Sequence, residues 1–525
     1  MAKITTKAVF KQYQQHQILL LPPSLESLIS KTHLVRVIND VVDKLDISAI
    51  INSYEGGGSS AYHPLMMTKV MLYAYSMKIY SGRKIAQALR QDVTFMWLSA
   101  MNTPDFRTVN GFRSGVLKNT IEQLFTQTLL FLVEEKYVEF ENYFCDGTTC
   151  AANGNRRKMV WGKNADRYRE VAEKNCAQLF EQIDSLNAAE DKKYGEKDLE
   201  TEGGNALLLA DKIDKKVAIL NEIVATTADK KKKRKAASLN KQLLEEHAKI
   251  DKYRKQKQIA GKRSGYNKTD TDATAMRMKN GELLPAYNIM AGSENQFIVS
   301  YSVHQNSNDA TCFKNHLETA VKQAGRIPKN IHADSIFGTE ENYELLGNRE
   351  INNYLKFPTF HKEQSPKYRN NPFLKENFLY NAEANTYTCP NNELLLHQST
   401  TIHTNKKTGY QSTIALYGCQ SCQDCPLAEK CKKGEGNRTI SINTKLDNYK
   451  AEARKNLQSE KGIVLRKKRG CEIEPCFGDM KQNMNFRRFH LRGIEKVKTE
   501  TGIISICHNI RKVHIKRTQN LDNAA

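Results

Sequence analysis

From about Ala165 to Gly261 the chain is highly charged and poor in aromatic residues, while strand-like and helix-like patterns alternate on both sides of that segment. This break constrains the fold more than any other feature, because strands of one sheet must then come from both sides of it. Within it, "VAEKNCAQLFEQIDSL", "ADKIDKKVAILNEIVATT" and "KKKKRKAASLNKQLLEEHAKI" read as long helices in an exposed antiparallel hairpin inserted into the fold. The basic run from Lys230 to Lys235 is then either a solvated face or a DNA contact.

From Ser24 to Val138 apolar residues recur at three- and four-residue spacing, as in "SLESLISKTHLVRVINDVVDKL" and "PLMMTKVMLYAYSMKI", so this region is helical. "SGRKIAQALRQDVTFMWL" followed by "TPDFRTVNGFRSGVL" gives helix, turn, helix, with Arg83, Lys84, Arg90, Arg107 and Arg113 available to phosphate. An ordinary bundle with a basic rim fits the same pattern. Next, "YVEFENYFCDGTTCAAN" reads as a strand that ends at Asp146 in a Gly-containing turn.

Beyond the charged segment, "LLPAYNIMAG" and "QFIVSYSVHQ" read as adjacent strands and "DATCFKNHLETAVKQAG" as a helix. "NIHADSIFG" is a buried strand ending at Asp334, followed by a helix in "EENYELLGNRE" and a strand in "INNYLKFP". The order describes an α/β fold, a mixed sheet flanked by helices, with both aspartates at strand ends where ligand-binding groups gather.

With 80 Lys and Arg against 58 Asp and Glu, the formal charge of +22 suits a polyanionic partner, nucleic acid before a membrane surface. The apolar run Ile18 to Leu21 stops at Pro22-Pro23, and no stretch approaches the roughly 18 apolar residues of a membrane span, so a soluble cytoplasmic protein is expected.

Glu474 stands in the basic stretch "GCEIEPCFGDMKQNMNFRRFHLRG", where an acid makes sense if it holds a metal ion. Magnesium favours hard oxygen ligands, and two such ions about 4 Å apart promote in-line phosphoryl displacement. Asp146, Asp334 and Glu474 are far apart in sequence, so only the fold could unite them. Lys481 follows Glu474 by about two helical turns and would share its face on a continuous helix, with Arg488 continuing it. Pro475 either opens that helix or kinks it, and Gly478 weakens it further.

"YFCDGTTCAANGNRRKMVW", "IHADSIFG" and "IEPCFGDMKQNMNFRRFHLRGIEKVKTETGIISICHNIRK" resemble the three signature blocks of the DDE transposases of bacterial insertion sequences. The likeness is to the branch with a helical N-terminal domain and a Cys-bearing insertion, and it extends to "HPLMMTKVMLYAYSMKIYSGRKIAQAL", "PDFRTVNGFR", "TDATAMRMKNGELLPAYNIM" and "CQDCPLAEKC". "DGT" also occurs in phosphatases with an aspartyl nucleophile, but those carry an Asp two residues earlier, where this chain has Phe144.

The resemblance implies an RNase H-like core in which Asp146, Asp334 and Glu474 bind two Mg2+ ions, with Mn2+ able to substitute. It further implies double-stranded DNA partners (element ends and target), an active form that is at least a homodimer, and a bacterial, nucleoid-associated location. In the family's signature of Tyr, Arg, Glu and Lys, the Arg stands four residues before the Glu. Here that position is Gly470, which leaves Arg466 and Arg469 as the nearby alternatives, while Glu474 and Lys481 match. Arg487, Arg488 and Arg492 then read as backbone contacts or as a solvated basic surface.

Five cysteines, Cys389, Cys419, Cys422, Cys425 and Cys431, fall close enough for a structural zinc site that needs four. The family pattern favours Cys389, Cys422, Cys425 and Cys431, with Cys419 as the alternative; Cys145 and Cys150 read as packing residues.

The expected organisation is a helical DNA-binding domain over 1–135, core pieces over 136–164, 262–380 and 446–525, the helical insertion over 165–261 and a Cys-rich insertion over 381–445. The expected function is a transposase that binds terminal inverted repeats, cleaves the ends and joins them to target DNA. The alternatives are a stand-alone nuclease of the same fold and a catalytically silent DNA-binding protein.

Overall fold

The strand expected to stop at Asp146 continues past it. In the computed structural model, which describes residues 24–54, 61–194 and 206–524, β1 spans Asn142–Ala151. The apolar run Ile18 to Leu21 lies outside the described residues. The other strands of the central sheet are β2 (Thr274–Arg277), β3 (Leu283–Glu294), β4 (Phe297–His304), β5 (Asn330–Ala333) and β6 (Asn352–Leu355).

The sheet order is β2-β3-β1-β5-β6, with β4 also paired to β3. β1 runs antiparallel to β3 from Phe144↔Ser293 to Ala151↔Ala286. On its other edge it is parallel to β5 only from Asn142↔Asn330 to Phe144↔His332. Asp146 therefore lies where β1 keeps one neighbour and has just left the other. This is the mixed, helix-flanked sheet of the RNase H-like expectation.

Ten helices bear on the argument: α1 (Pro64–Ser76), α2 (Leu117–Glu134), α3 (Gly162–Tyr194), α4 (Ala206–Thr226), α5 (Lys230–Ala260), α6 (Asp309–Ala324), α7 (Glu340–Gly347), α8 (Glu460–Glu472), α9 (Glu474–Gly478) and α10 (Ile494–Ala524). Strand alternation assigns them to faces. Tyr143 hydrogen-bonds His316 of α6 at 2.7 Å on one face. On the other, Asp146 meets Arg469 of α8, and Thr148 meets Lys481.

The charged insertion is not a hairpin. α3, α4 and α5 form a three-helix unit whose core includes Cys176, Ile183, Leu220, Leu243 and Ile250. Three helices bury apolar stripes that two helices would leave wet. A ribbon of Met159–Trp161 against Gly265–Asn267 closes its base. Gly265 is required there, because a Cβ would lie 2.3 Å from the Val160 carbonyl oxygen. The run from Lys230 to Lys235 opens α5, where its charge opposes the helix dipole, and the Asp229 carboxylate caps it by accepting from the Lys231 and Lys232 amides.

A smaller five-stranded antiparallel sheet holds the Cys-rich insertion: β7 (Leu379–Asn381), β8 (Thr386–Thr388), β9 (Leu394–Thr404), β10 (Gln411–Cys419) and β11 (Thr439–Ile442).

The N-terminal helices and the central sheet share one buried core, running from Ile29 to Val513. Its polar centre is Glu500 of α10, fully buried, which accepts from the Tyr75 hydroxyl at 2.7 Å and from the His490 and Leu491 amides at 2.8 Å each. Arg113 belongs to the same network, donating to the Tyr75 hydroxyl at 3.0 Å, the Tyr80 carbonyl at 2.6 Å and Asn110 Oδ1 at 3.1 Å. This corrects its expected place on a DNA-facing surface: the side chain is buried and both its Nη1 and Nη2 groups donate inside the fold.

Glu500→Ala strips the acceptor from a buried hydroxyl and two partly buried amides beside a buried guanidinium, so it should cost on the order of 3–5 kcal/mol. Tyr75→Phe, which removes two hydrogen bonds, one to Glu500 and one from Arg113, should cost less, about 1–3 kcal/mol. Urea unfolding of both variants measures the pair, and equal losses would deny Glu500 its place at the centre of the network.

Candidate active site

The site rests on a row of stacked rings. The parallel registers place Phe144 of β1 beside His332 of β5, and His332 beside Tyr354 of β6. Their rings stack with centroids 4.8 and 4.6 Å apart. Burial pushes the His332 imidazole down to about 3, so it packs as a neutral ring. Two residues further along an extended chain returns to the same face. That step carries Phe144 to Asp146 and His332 to Asp334, which is still extended at φ −77°, ψ 172° before the turn Ser335–Phe337.

Asp146 is three-quarters buried, and its Oδ2 lies 3.1 Å from Arg469 Nη2. Its Oδ1 accepts from the Gly147 amide at 2.9 Å. Burial raises its pKa, Arg469 and the Gly147 amide oppose that rise, and the charges of Asp309 and Asp334 add to it. Of the two arginines left open by the sequence, Arg469 is the one at Asp146. Arg466 stacks over Phe360, 5.1 Å from its centroid.

The structure does not bring the third expected acid to this pair. Glu474 is the first residue of α9 and is exposed. Among the described residues, no group of three or more His, Cys, Asp and Glu side chains stands in metal-holding geometry. Its neighbour Glu472 is buried, accepting from the Gln296 amide at 2.8 Å and pairing with Lys468 at 3.0 Å, and so serves packing.

Pro475 opens α9 at its first turn, and the chain then winds into a π-helical turn over Asp479–Asn483. Seven residues across that turn are not two α-turns. Lys481 is accordingly directed into β1, donating to Thr148 Oγ1 at 2.6 Å and to the Thr149 carbonyl at 2.7 Å, so the face expected to be shared with Glu474 is not formed.

Arg487, Arg488 and Arg492 are exposed yet anchored. Arg487 donates to the Lys481 carbonyl at 3.2 Å, Arg488 to the Ala152 carbonyl at 3.1 Å and Arg492 to the Asn153 carbonyl at 2.9 Å. They line the exit of β1 beyond Asp146. In the N-terminal helices, exposed Arg83 and Arg107 flank the Phe106 ring at 4.9 and 5.8 Å.

Sequence reasoning missed Asp309, the first residue of α6. Its carboxylate approaches β1 from the face opposite Asp146 and accepts from Asn288 Nδ2 at 2.5 Å. A Cβ on Gly147 would lie 2.5 Å from its Cγ, so the glycine of "DGT" admits Asp309 to the strand and does not make a turn. The signal was that glycine itself, inside a strand pattern, which marks a close approach.

All five cysteines of the insertion, Cys389, Cys419, Cys422, Cys425 and Cys431, line one small cavity. Two sulfurs already accept backbone amides: Cys389 from Asn391 at 3.3 Å and Cys422 from Arg438 at 3.4 Å. Burial, then the hydrogen bond to Cys422, pushes the Cys419 thiol up to about 11.

No curated protein matches the chain. Two family models do: one described as Transposase DDE domain, over residues 388–514, and one described as Transposase domain (DUF772), over residues 23–115. The first contains Glu474, Arg469, Lys481 and the cysteines, and the second contains Arg83, Arg107 and Arg113; Asp146 and Asp334 fall outside both.

The ring row predicts a pair of variants. His332→Ala should lose about 2–5 kcal/mol, whereas His332→Phe should keep most of the stack. Because the folded-state pKa of His332 lies below its ordinary 6.5, its contribution is intact above that pH and is lost progressively as pH falls toward about 3. The Phe variant should lack this part of the acid sensitivity, as read from unfolding midpoints between those values. Identical acid profiles for it and the natural protein would contradict a neutral, buried ring.

Proposed function

We propose that this chain, which belongs to the DDE transposases of insertion sequences, binds the terminal inverted repeats of its element, cuts the DNA at each end and joins the freed ends to target DNA. The observation that carries the reading is the pair Asp146 and Asp334, each two residues past the register pair Phe144↔His332, on the sheet face covered by the third block, which falls within the DDE-domain match.

Asp146 and Asp334 are hard oxygen donors side by side, a set that suits Mg2+ or Mn2+, and Glu474, on the block anchored to β1 by Lys481, is the proposed third ligand. A metal held there would supply activation of the attacking oxygen and stabilisation of the leaving one. In cleavage, a water oxygen bonds to phosphorus as the bond to the 3′ oxygen breaks, leaving a 3′-hydroxyl. In joining, that hydroxyl attacks a target phosphate, and one phosphodiester replaces another.

The chain's own contribution is charge and position. Arg469 pairs with Asp146 and opposes the upward shift that burial imposes on its carboxylate. Arg487, Arg488 and Arg492 line the path a strand would follow to Asp146, and Arg83 and Arg107 offer the N-terminal helices to the repeat. Two ends must be held together, so the active form is at least a dimer. Cys389, Cys422, Cys425 and Cys431, with Cys419 as the alternative, would hold a structural zinc: soft thiolates suit it, and these residues line one cavity with two amide donors to their sulfurs already in place.

A supercoiled plasmid carrying the element's ends, incubated with Mg2+, tests the reading. Joined products support it, nicks alone indicate a nuclease, and a mobility shift without cutting indicates a silent binder. Asp146→Asn and Asp334→Asn should each lower cleavage by at least about 10²–10³-fold with end binding retained. Glu474→Gln should do the same, while Glu474→Asp should recover in part with Mn2+, which is less demanding of geometry. Glu472→Gln should lower stability and leave metal dependence unchanged; the reverse pattern would exchange the roles of the two glutamates.

For zinc, elemental analysis of the purified protein should find about one ion per chain, lost in a Cys422→Ser, Cys425→Ser double variant. Metal content unchanged by that double substitution would remove the assignment.

A further inference from the structure

The row of strand ends that holds the two aspartates has a third member. His332↔Tyr354 and Ala333↔Leu355 pair β5 with β6 in parallel, so the residue abreast of Asp334 on the next strand is Lys356. Tyr354 contributes its ring to the stack beneath, and the step of two residues that lifts Asp146 above Phe144 lifts Lys356 above Tyr354.

Its place is fixed independently by the turn after Asp334. A Cβ on Gly338 would lie 2.3 Å from the Lys356 carbonyl oxygen and 2.8 Å from Phe357 Cα, so that turn packs directly on the Lys356 backbone. The side chain is half-buried, and Arg469, Asp334 and Arg466 all act on its ammonium. Among the described residues, that ammonium forms no ion pair or hydrogen bond, whereas the Arg469 guanidinium is engaged with Asp146. A half-buried cation held abreast of these two carboxylates, with its donors unused, has them free for an anionic ligand.

We propose that Lys356 binds the scissile phosphate, donating to a non-bridging oxygen of the group on which Asp146 and Asp334 act. The inference rests on the transposase reading, and it makes Lys356 a catalytic residue beside the acids. An ammonium on a flexible stem suits a phosphate that changes shape during displacement, because it acts as a point charge without a fixed fork. Burial, then Arg469, lowers its pKa, Asp334 opposes that shift, and Arg466 lowers it further.

The test uses Lys356→Met and Lys356→Arg in the full chain, with DNA ends whose scissile phosphate is either natural or a neutral methylphosphonate. Cleavage of natural ends should fall about 10²-fold or more in the Met variant and less in the Arg variant. The natural protein should bind the methylphosphonate end several-fold more weakly than the natural end, and Lys356→Met should bind the two alike. A Met variant that cuts normally, or that keeps the full methylphosphonate penalty, overturns the contact. Natural protein that binds the ends and never cuts them fails the transposase reading instead, and the binding comparison still decides the lysine. Melting curves of both variants separate lost contact from lost fold, since a packing role for the stem would be restored by Met.

Discussion

Three stacked rings, Phe144, His332 and Tyr354, hold β1, β5 and β6 in one register, and everything chemical about the molecule stands on that row. Parallel pairing joins segments with no local means of finding each other, and a slip of one residue would turn every side chain to the opposite face. Register therefore decides whether Asp146 and Asp334 meet at all. The stack adds a side-chain constraint where the backbone pairing of β1 with β5 is ending, at Phe144↔His332. An imidazole serves in the middle because its ring is flat and burial keeps it uncharged.

The third block is then keyed to that sheet from several directions. Lys481 is bonded into β1 just beyond Asp146, Arg488 and Arg492 hold the exit of the strand, and Glu500 gathers the His490 and Leu491 amides with Tyr75 of the N-terminal helices. Tyr80 also donates its hydroxyl to the Met484 carbonyl and stacks on His490. The helices that offer Arg83 and Arg107 are thus packed on the segment carrying Glu474 and share its core. A displacement of those helices by bound DNA would act on the third block through buried contacts, with no flexible linker to absorb it.

Much of this was legible in the residues. Alternation and punctuation placed the strands of Asp334, "LLPAYNIMAG" and "QFIVSYSVHQ", and the change in composition located the helical insertion. What was not legible shares one physical cause: it depended on partners distant in sequence. The glycine after Asp146 reads locally as a turn, and only the approach of Asp309 shows why a strand needs it. Arg113 reads locally as one more surface cation, and only Tyr75, Tyr80 and Glu500 make it a core residue. The helical hairpin became three helices because apolar stripes on α3, α4 and α5 require each other. The π-helical turn after Gly478 has no periodic signature, so a face shared by Glu474 and Lys481 was a sound inference from spacing that the backbone does not honour.

The Cys-rich insertion is tied to the core by polar contacts. Its hairpin of β9 and β10 returns Tyr410 to α7, where the hydroxyl donates to Glu344 at 2.5 Å and to Glu340 at 3.1 Å, and Lys445 pairs with Glu344 at 2.7 Å. Glu340 also accepts from Asn443 at 2.6 Å, so two carboxylates on one short helix receive both the tip and the return of the insertion. α7 follows the turn that carries Asp334 and packs on Lys356, and the insertion is consequently braced against the same segment that sets the row of strand ends holding the two aspartates. A local core of only Phe378, Leu395, Tyr417, Cys419, Cys422 and Ile440 is small for a five-stranded sheet. α7 supplies the hold that this small core lacks, and it ties the insertion to the segment that carries Asp334.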